Sequence, residues 1–225
     1  MSRAVILANG PVDKTTDISS LLHADDILIA ADGGASRFQS AGIQPHVVVG
    51  DMDSIDPALL EKLKSKGIEL IGYPKDKDQT DLELAIHFAV GRGMTEILLL
   101  GLVGGRLDQT LANLLMLTRP EWGGIRLIVK DGMDTAYPMR DGDEFVLEGS
   151  PGDIVSLIPL SEFVSGLTTQ GLRWPLHDKL VEFGTTLTVS NEMISEKARV
   201  TIRAGNLLLM HREGHDSRLE SPDSE

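Results

Sequence analysis

Asp51 and Asp53 stand two residues apart, directly after the apolar run of residues 47–50, which reads as a strand. If strand alternation continues past Gly50, both carboxylates point to the same face. Like charges that close repel unless a cation or water separates them. A pair of carboxylates at a strand end therefore points to a cation site. Oxygen-only ligands suit magnesium, which commonly binds through one or two carboxylates together with substrate phosphates.

The other acids repeat this placement. Asp32 follows the apolar run at 27–31, Asp76, Asp78 and Asp81 follow the run at 68–72, and Asp108 follows the run at 96–104. In open α/β sheets, ligands bind in the crevice outside the carboxyl ends of the strands. Four loops thus bring acid toward one edge. Glycines 33, 34, 50, 101, 104 and 105 in the same loops allow a ligand to approach the backbone. No GxxxxGK is present and no GxGxxG follows the first strand, so a nucleotide here is held neither by a P-loop nor by the dinucleotide fingerprint.

Each residue also has a purely structural reading. Asp32 before two glycines fits a turn. Asp78, Thr80 and Asp81 precede a helical pattern, where caps and dipole-favoured acids are expected. Asp56 before Pro57 reads as an N-cap with proline at the first helical position. Arg106 fits a bidentate phosphate clamp or an ordinary surface arginine. Trp174 fits a cation-binding face or core packing, and Trp122 fits loop packing. Six histidines show no metal-ligand spacing; His211 and His215 are four apart but fall at the tail.

The elements that must position these residues change character along the chain. Apolar runs at 4–8, 27–31, 46–50, 68–72, 96–104 and 125–129 alternate with amphipathic stretches. One such stretch carries Leu82, Ala85, Ile86 and Ala89 on a single stripe, and another carries Leu107, Leu111, Leu114 and Leu115. This predicts a mostly parallel sheet, apolar at nearly every strand position because helices cover both faces. After residue 130 the strand-like runs are 144–148, 153–160, 186–190, 198–204 and 206–211, with turn residues between them. They predict a smaller antiparallel β-sandwich. The expected organisation is an α/β domain at 1–130, a β domain at 131–212 and a polar, disordered tail at 213–225.

Composition sets limits on partners. The chain has 225 residues, 41% of them hydrophobic, no cysteine and a net charge of −13. Thiolate metal sites and disulfides are excluded, which fits a reducing, cytoplasmic location. The absence of a basic stripe argues against nucleic acid. No run nears the roughly 20 apolar residues of a membrane helix, and the opening MSRAVILANG reads as a strand rather than a signal peptide. An acidic surface favours a cationic ligand, or an anionic one that arrives with metal.

Taken in order, ADGGA (31–35), GDMDS (50–54), DKDQTDLELAI (76–86) and GGRLDQTLANL (104–114) resemble the motifs of thiamine pyrophosphokinases. GLTTQGLRWPL (166–176) and GTTLTVSN (184–191) resemble that family's thiamine-side segments. The resemblance spans residues 4–210. It implies transfer of the pyrophosphoryl group of ATP to the hydroxyl of thiamine, giving AMP and thiamine diphosphate, with magnesium. It also implies a homodimer whose active sites lie between subunits. By position, Asp51, Asp53 and Asp81 resemble the magnesium and phosphate-site acids, and Asp32 and Asp108 resemble further acids of that cluster. Thr80 resembles a polar contact beside them. Lys77 stands where some relatives carry glutamine and is a candidate phosphate contact. Trp174, Ser190 and Asn191 resemble thiamine-side residues. Two other readings remain open: a magnesium-dependent nucleotide phosphohydrolase using the same acids, and a non-catalytic module that senses thiamine or nucleotide.

Overall fold

A computed structural model describes residues 2–214, which separate into two compact units at Gly132. In the first unit the strands are β1 (Arg3–Leu7), β2 (Ile27–Ala31), β3 (Val47–Gly50), β4 (Glu69–Gly72), β5 (Glu96–Leu100) and β6 (Arg126–Asp131). All pair in parallel, in the order β6-β5-β1-β2-β3-β4. The chain runs outward from β1 to β4 and then returns to the other side of β1 to form β5. That reversal makes the gap between β1 and β5 a topological switch point, the place where such sheets bind ligands.

Four helices connect the strands: α1 (Gly34–Ser40), α2 (Pro57–Ser65), α3 (Asp81–Gly91) and α4 (Leu107–Met116). Val5, Leu7, Leu28, Ala30 and Val48 pack with Ala35 and Phe38 of α1 and Leu59 and Leu63 of α2 in one buried cluster. The intervening strand residues Ala4, Ile6, Ile29 and Val49 are fully buried as well. Successive side chains point to opposite faces, so both faces of the sheet are covered. The expected stripe of α3, Leu82, Ala85, Ile86 and Ala89, is buried, and α3 packs on β1, β2 and β3. Asp56 caps α2 as expected, its Oδ1 accepting from the amides of Ala58 and Leu59, with Pro57 at the first position.

α4 departs from expectation. None of its residues is buried, and Leu107, Leu111 and Leu115 are 83%, 56% and 41% exposed. The periodicity gave the helix, but the stripe that periodicity marks as core-facing lies open on this chain. Trp122, by contrast, is fully buried and donates through Nε1 to the carbonyl of Met116.

The second unit contains β7 (Asp134–Met139), β8 (Glu144–Glu148), β9 (Ile154–Pro159), β10 (Phe163–Gln170), β11 (Lys179–Glu182), β12 (Asn191–Glu192), β13 (Lys197–Thr201) and β14 (Leu207–Arg212). β14 pairs antiparallel with β7 and β9, and β9 pairs with β12. A second antiparallel sheet runs β11-β10-β13-β8. Met139, Val155, Leu157, Leu207 and Leu209 of the first sheet share a core with Leu147, Val164, Leu167, Val181 and Val200 of the second. This is the expected sandwich.

Two local readings need correction. Residues 186–190 form turns rather than a strand. There the hydroxyl of Thr188 donates to the Leu157 carbonyl and the Ser190 amide donates to Ser156 Oγ, side-chain bonds that join one backbone bond, from the Leu157 amide to the Thr188 carbonyl, in place of a regular ladder. His211 belongs to β14 and not to the tail; its Nε2 lies 2.9 Å from Asp153 Oδ2 in a buried pair. Of the expected tail, Glu213 and Gly214 are bonded to the β unit through their amides, to the Met133 carbonyl and Asp153 Oδ1, while residues 215–225, His215 included, fall outside the described residues. Among the described residues, no helix is long and apolar enough to cross a membrane.

Candidate functional site

The site is built from the loops after β1 to β5. Asp32, directly after β2, has a φ of 46°, and its amide donates to the carbonyl of Val49. Aspartate tolerates the left-handed region better than most residues. Gly33 and Gly34 follow because nothing larger fits. A Cβ on Gly34 would lie 1.9 Å from the Leu7 carbonyl oxygen, and one on Gly33 would meet the side chain of Asn9 at 2.4 Å. The start of α1 is thereby pressed against the end of β1, and Asp32 is left 5% exposed.

Asp51 and Asp53 are not brought together by continued strand alternation. β3 ends at Gly50, and the chain turns through Met52, whose φ is 65°. Met52 packs against the core beneath, which holds the turn in place. The Asp53 amide donates to Asp51 Oδ1 at 3.2 Å across that turn. Carboxylate oxygens of Asp32, Asp51 and Asp53 lie within 4.8 Å of one another. The trio that converges is therefore Asp32, Asp51 and Asp53, where Asp51, Asp53 and Asp81 were expected.

Asp81 adjoins this group in two ways. A Cβ on Gly50 would lie 3.0 Å from both Asp32 Cβ and Asp81 Oδ1, so the two acids flank the same glycine. The ammonium of Lys77 lies 2.9 Å from Asp81 Oδ1 and 3.2 Å from Asp51 Oδ2. Lys75, which sequence reasoning passed over, reaches Asp53 Oδ2 at 2.5 Å. Its ammonium holds the Asp53 carboxyl below the ordinary carboxylate range. Burial pushes the Asp81 carboxyl up, and Asp32 and Asp51 add to that, even with Lys77 pulling the other way. Burial lowers Lys77, but Asp81 and Asp51 outweigh it and hold the ammonium above its usual value. Both partners of the Lys77–Asp81 pair thus move upward, because Lys77 has two anions while Asp81 has anionic neighbours besides its cation. The group is short of positive charge.

This donor set fits a divalent cation. It is all oxygen, and Asp32 Oδ1 is buried with no hydrogen-bond partner. Asp81 Oδ1 is buried too and meets the Lys77 ammonium as an ion pair rather than through an aligned hydrogen bond. A buried carboxylate oxygen without a donor is costly unless a cation satisfies it.

Beside the acids, a cleft of about 460 Å³ opens at the switch point. Asp32 and Asp81 line it together with Asn9 and Gly10 after β1, Gly104 after β5 and Arg106. A Cβ on Gly10 would come within 2.3 Å of the Gly101 carbonyl oxygen, so the floor requires glycine. Asn9 and Gly10 were not foreseen; their position after the first strand was the available signal. Thr80 lines the cleft and also caps α3, its Oγ1 accepting from the amide of Glu83. Asp108 does not join the acid group. It is exposed in the first turn of α4 and is held by Arg106 through two bonds, at 3.1 and 2.5 Å.

The second unit has its own pocket of about 360 Å³, lined by Leu157, Trp174, Leu176, Leu187, Ser190 and Asn191 among others. Asn191 fixes Trp174 by accepting from its amide at 3.1 Å and donating to its carbonyl at 2.7 Å. The indole itself is 57% exposed and is not core. The Arg173 guanidinium, anchored to Glu192 at 2.8 Å, lies 5.2 Å from the Trp174 ring centroid, so this ring already accepts a cation on its face. Ser190 adopts a φ of 61° at the pocket rim.

Comparison with known proteins agrees with both halves. Residues 18–129 match the family model described as thiamin pyrophosphokinase, catalytic domain, and residues 144–209 match thiamin pyrophosphokinase, vitamin B1 binding domain. The thiamine pyrophosphokinase of Bacillus subtilis is 29% identical, over 91% of this chain and 96% of its own. Thiamine pyrophosphokinase 1 of rice, Oryza sativa subsp. japonica, is 31% identical over 89% of this chain and 75% of its own. The crystal structure of the B. subtilis protein superposes with a TM-score of 0.85, covering 94% of this chain and 99% of that one. The chain belongs to the thiamine pyrophosphokinase family and is an enzyme of that class.

Proposed function

We propose that the chain binds ATP at the cleft beside Asp32 and Asp81, binds thiamine at the Trp174 pocket, and transfers the β,γ-pyrophosphoryl group of ATP to the thiamine hydroxyl, releasing AMP. The observation that carries the ATP side is the convergence of Asp32, Asp51 and Asp53 within 4.8 Å next to a switch-point cleft. Magnesium would be held by Asp51 and Asp53, with Asp32 and Asp81 completing the oxygen set, and would neutralise charge on the phosphate oxygens. Gly10, Gly104 and Gly105 leave backbone open to the phosphates. Arg106 at the cleft rim reaches them by exchanging its exposed pair with Asp108, which is worth little in water. No residue is required as a strong general base, because phosphoryl transition states are loose and positioning dominates.

On the thiamine side, the fixed positive charge of the thiazolium suits the Trp174 face, contributing on the order of 1–2 kcal/mol when desolvated. Ser190 and Asn191 supply polar contacts at the same pocket. The active enzyme is a homodimer, each site combining the ATP cleft of one chain with the thiamine pocket of the other. What supports this is apolar surface left open on both units: Leu107, Leu111 and Leu115 on α4, and Leu180, Phe183, Leu187 and Ile194 in the β unit. Incubation with ATP and magnesium, with and without thiamine, tests the activity. AMP release that depends on thiamine is expected; phosphate release that ignores thiamine indicates a phosphohydrolase, and binding without turnover indicates a sensor.

A further inference from the structure

Lys77 is placed unlike any other cation near the acid group. Its side chain is 12% exposed, and its ammonium touches two of the carboxylates at once, Asp51 Oδ2 at 3.2 Å and Asp81 Oδ1 at 2.9 Å. Lys75 contacts one carboxylate from a side chain that is 78% exposed. Lys77 lies four positions before Asp81, which opens α3, so the cation and one of its anions are carried by a single short segment. Asp32, Asp51 and Asp81 are all buried or half-buried beside the end of β3, and crowding them there with no cation would force them apart or protonate them.

We propose that Lys77 is a built-in counter-cation that holds Asp51 and Asp81 together in the metal-free enzyme and is displaced when a divalent ion arrives. The inference rests on the metal reading given above and adds to it a competition between the protein's own ammonium and the metal. Two monovalent contacts from Lys77 give way to a divalent ion, and the flexible lysine stem leaves the ammonium free to meet an incoming phosphate. The competition lowers the affinity of the empty site for free metal. It thereby favours loading the metal together with the nucleotide, whose phosphates give the displaced lysine a new partner.

The test is Mn²⁺ binding without nucleotide, followed by the EPR signal of the free ion, in wild type, Lys77→Met, Lys77→Gln and Lys77→Arg. Removing the competing charge is expected to tighten Mn²⁺ binding at least about fivefold in the Met and Gln variants, whereas Arg keeps the charge and stays near wild type. Thermal melts in chelator should show the neutral variants less stable than wild type, with metal restoring most of the difference. Equal or weaker Mn²⁺ binding by folded Lys77→Met and Lys77→Gln overturns the proposal. Failure of both neutral variants to fold even in saturating metal also overturns it, because the metal is argued to replace the lysine. If wild type binds no Mn²⁺, or Asp51→Asn binds it as well as wild type, the metal reading itself fails first.

Discussion

At the scale of single residues, the proposed metal role rests most heavily on Asp51 and Asp53. Asparagine at either position keeps the size and loses the charge, so a cation held by the pair would lose its place. Turnover is expected to drop at least about a hundredfold for Asp51→Asn or Asp53→Asn, measured at saturating magnesium. Rates within threefold of wild type would remove them from the metal site. Asp153 makes a separate prediction in the β unit. Burial raises its carboxyl, but the Ser150 amide, His211 and the Gly214 amide more than compensate and leave it below the ordinary value. A depressed carboxylate stabilises the fold above its unfolded pKa, and that contribution is lost as the pH falls through the lower, folded value. Acid melts should therefore show stability declining from about pH 4 downward. Asp153→Asn should cost about 1–3 kcal/mol at pH 7 and flatten the decline. Lys77's double contact is the site feature least legible in the sequence. Its type and spacing suggest a phosphate ligand, and only the folded loops show two anions converging on it.

At the scale of elements, the parallel strands were legible because β1, β2, β3 and β5 are buried at almost every position, which polar interruptions would have spoiled. The α2 cap was legible because Asp56–Pro57 carries its mechanism in two residues. Other elements were not. Residues 186–190 alternate like a strand, but the side chains of Thr188 and Ser156 bond the local backbone, donating to the Leu157 carbonyl and accepting from the Ser190 amide. The approach of Asp32 and Asp81 to Gly50 was hidden, because it depends on β2, β3 and α3 together. Gly50 has a φ of 147°, and a Cβ would meet both acids at 3.0 Å. Gly50→Ala should keep the fold, cost about 1–3 kcal/mol in denaturant titrations, and reduce turnover more than tenfold by spreading the carboxylates. An alanine variant with wild-type kinetics would show that the tight approach is incidental.

At the scale of the whole molecule, the open leucine stripe of α4 is where sequence periodicity and the single chain disagree most. A helix patterned for burial but left exposed fits an assembly surface, and a closed two-fold pair would repeat it on both copies. In the proposed shared-site dimer, Leu111→Glu should give a folded monomer in sedimentation and abolish most activity, since each site would lose its partner. A variant that stays dimeric and active would place the dimer contact elsewhere. The proposed reaction is one chemical event: attack by the thiamine hydroxyl at the β-phosphorus of ATP. ATP labelled separately in its β- and γ-phosphates, incubated with magnesium and thiamine, follows that event directly. Both labels are predicted to appear in thiamine diphosphate, with one AMP formed per thiamine consumed. Label released as ADP with thiamine monophosphate, or as free phosphate at a rate indifferent to thiamine, would contradict it.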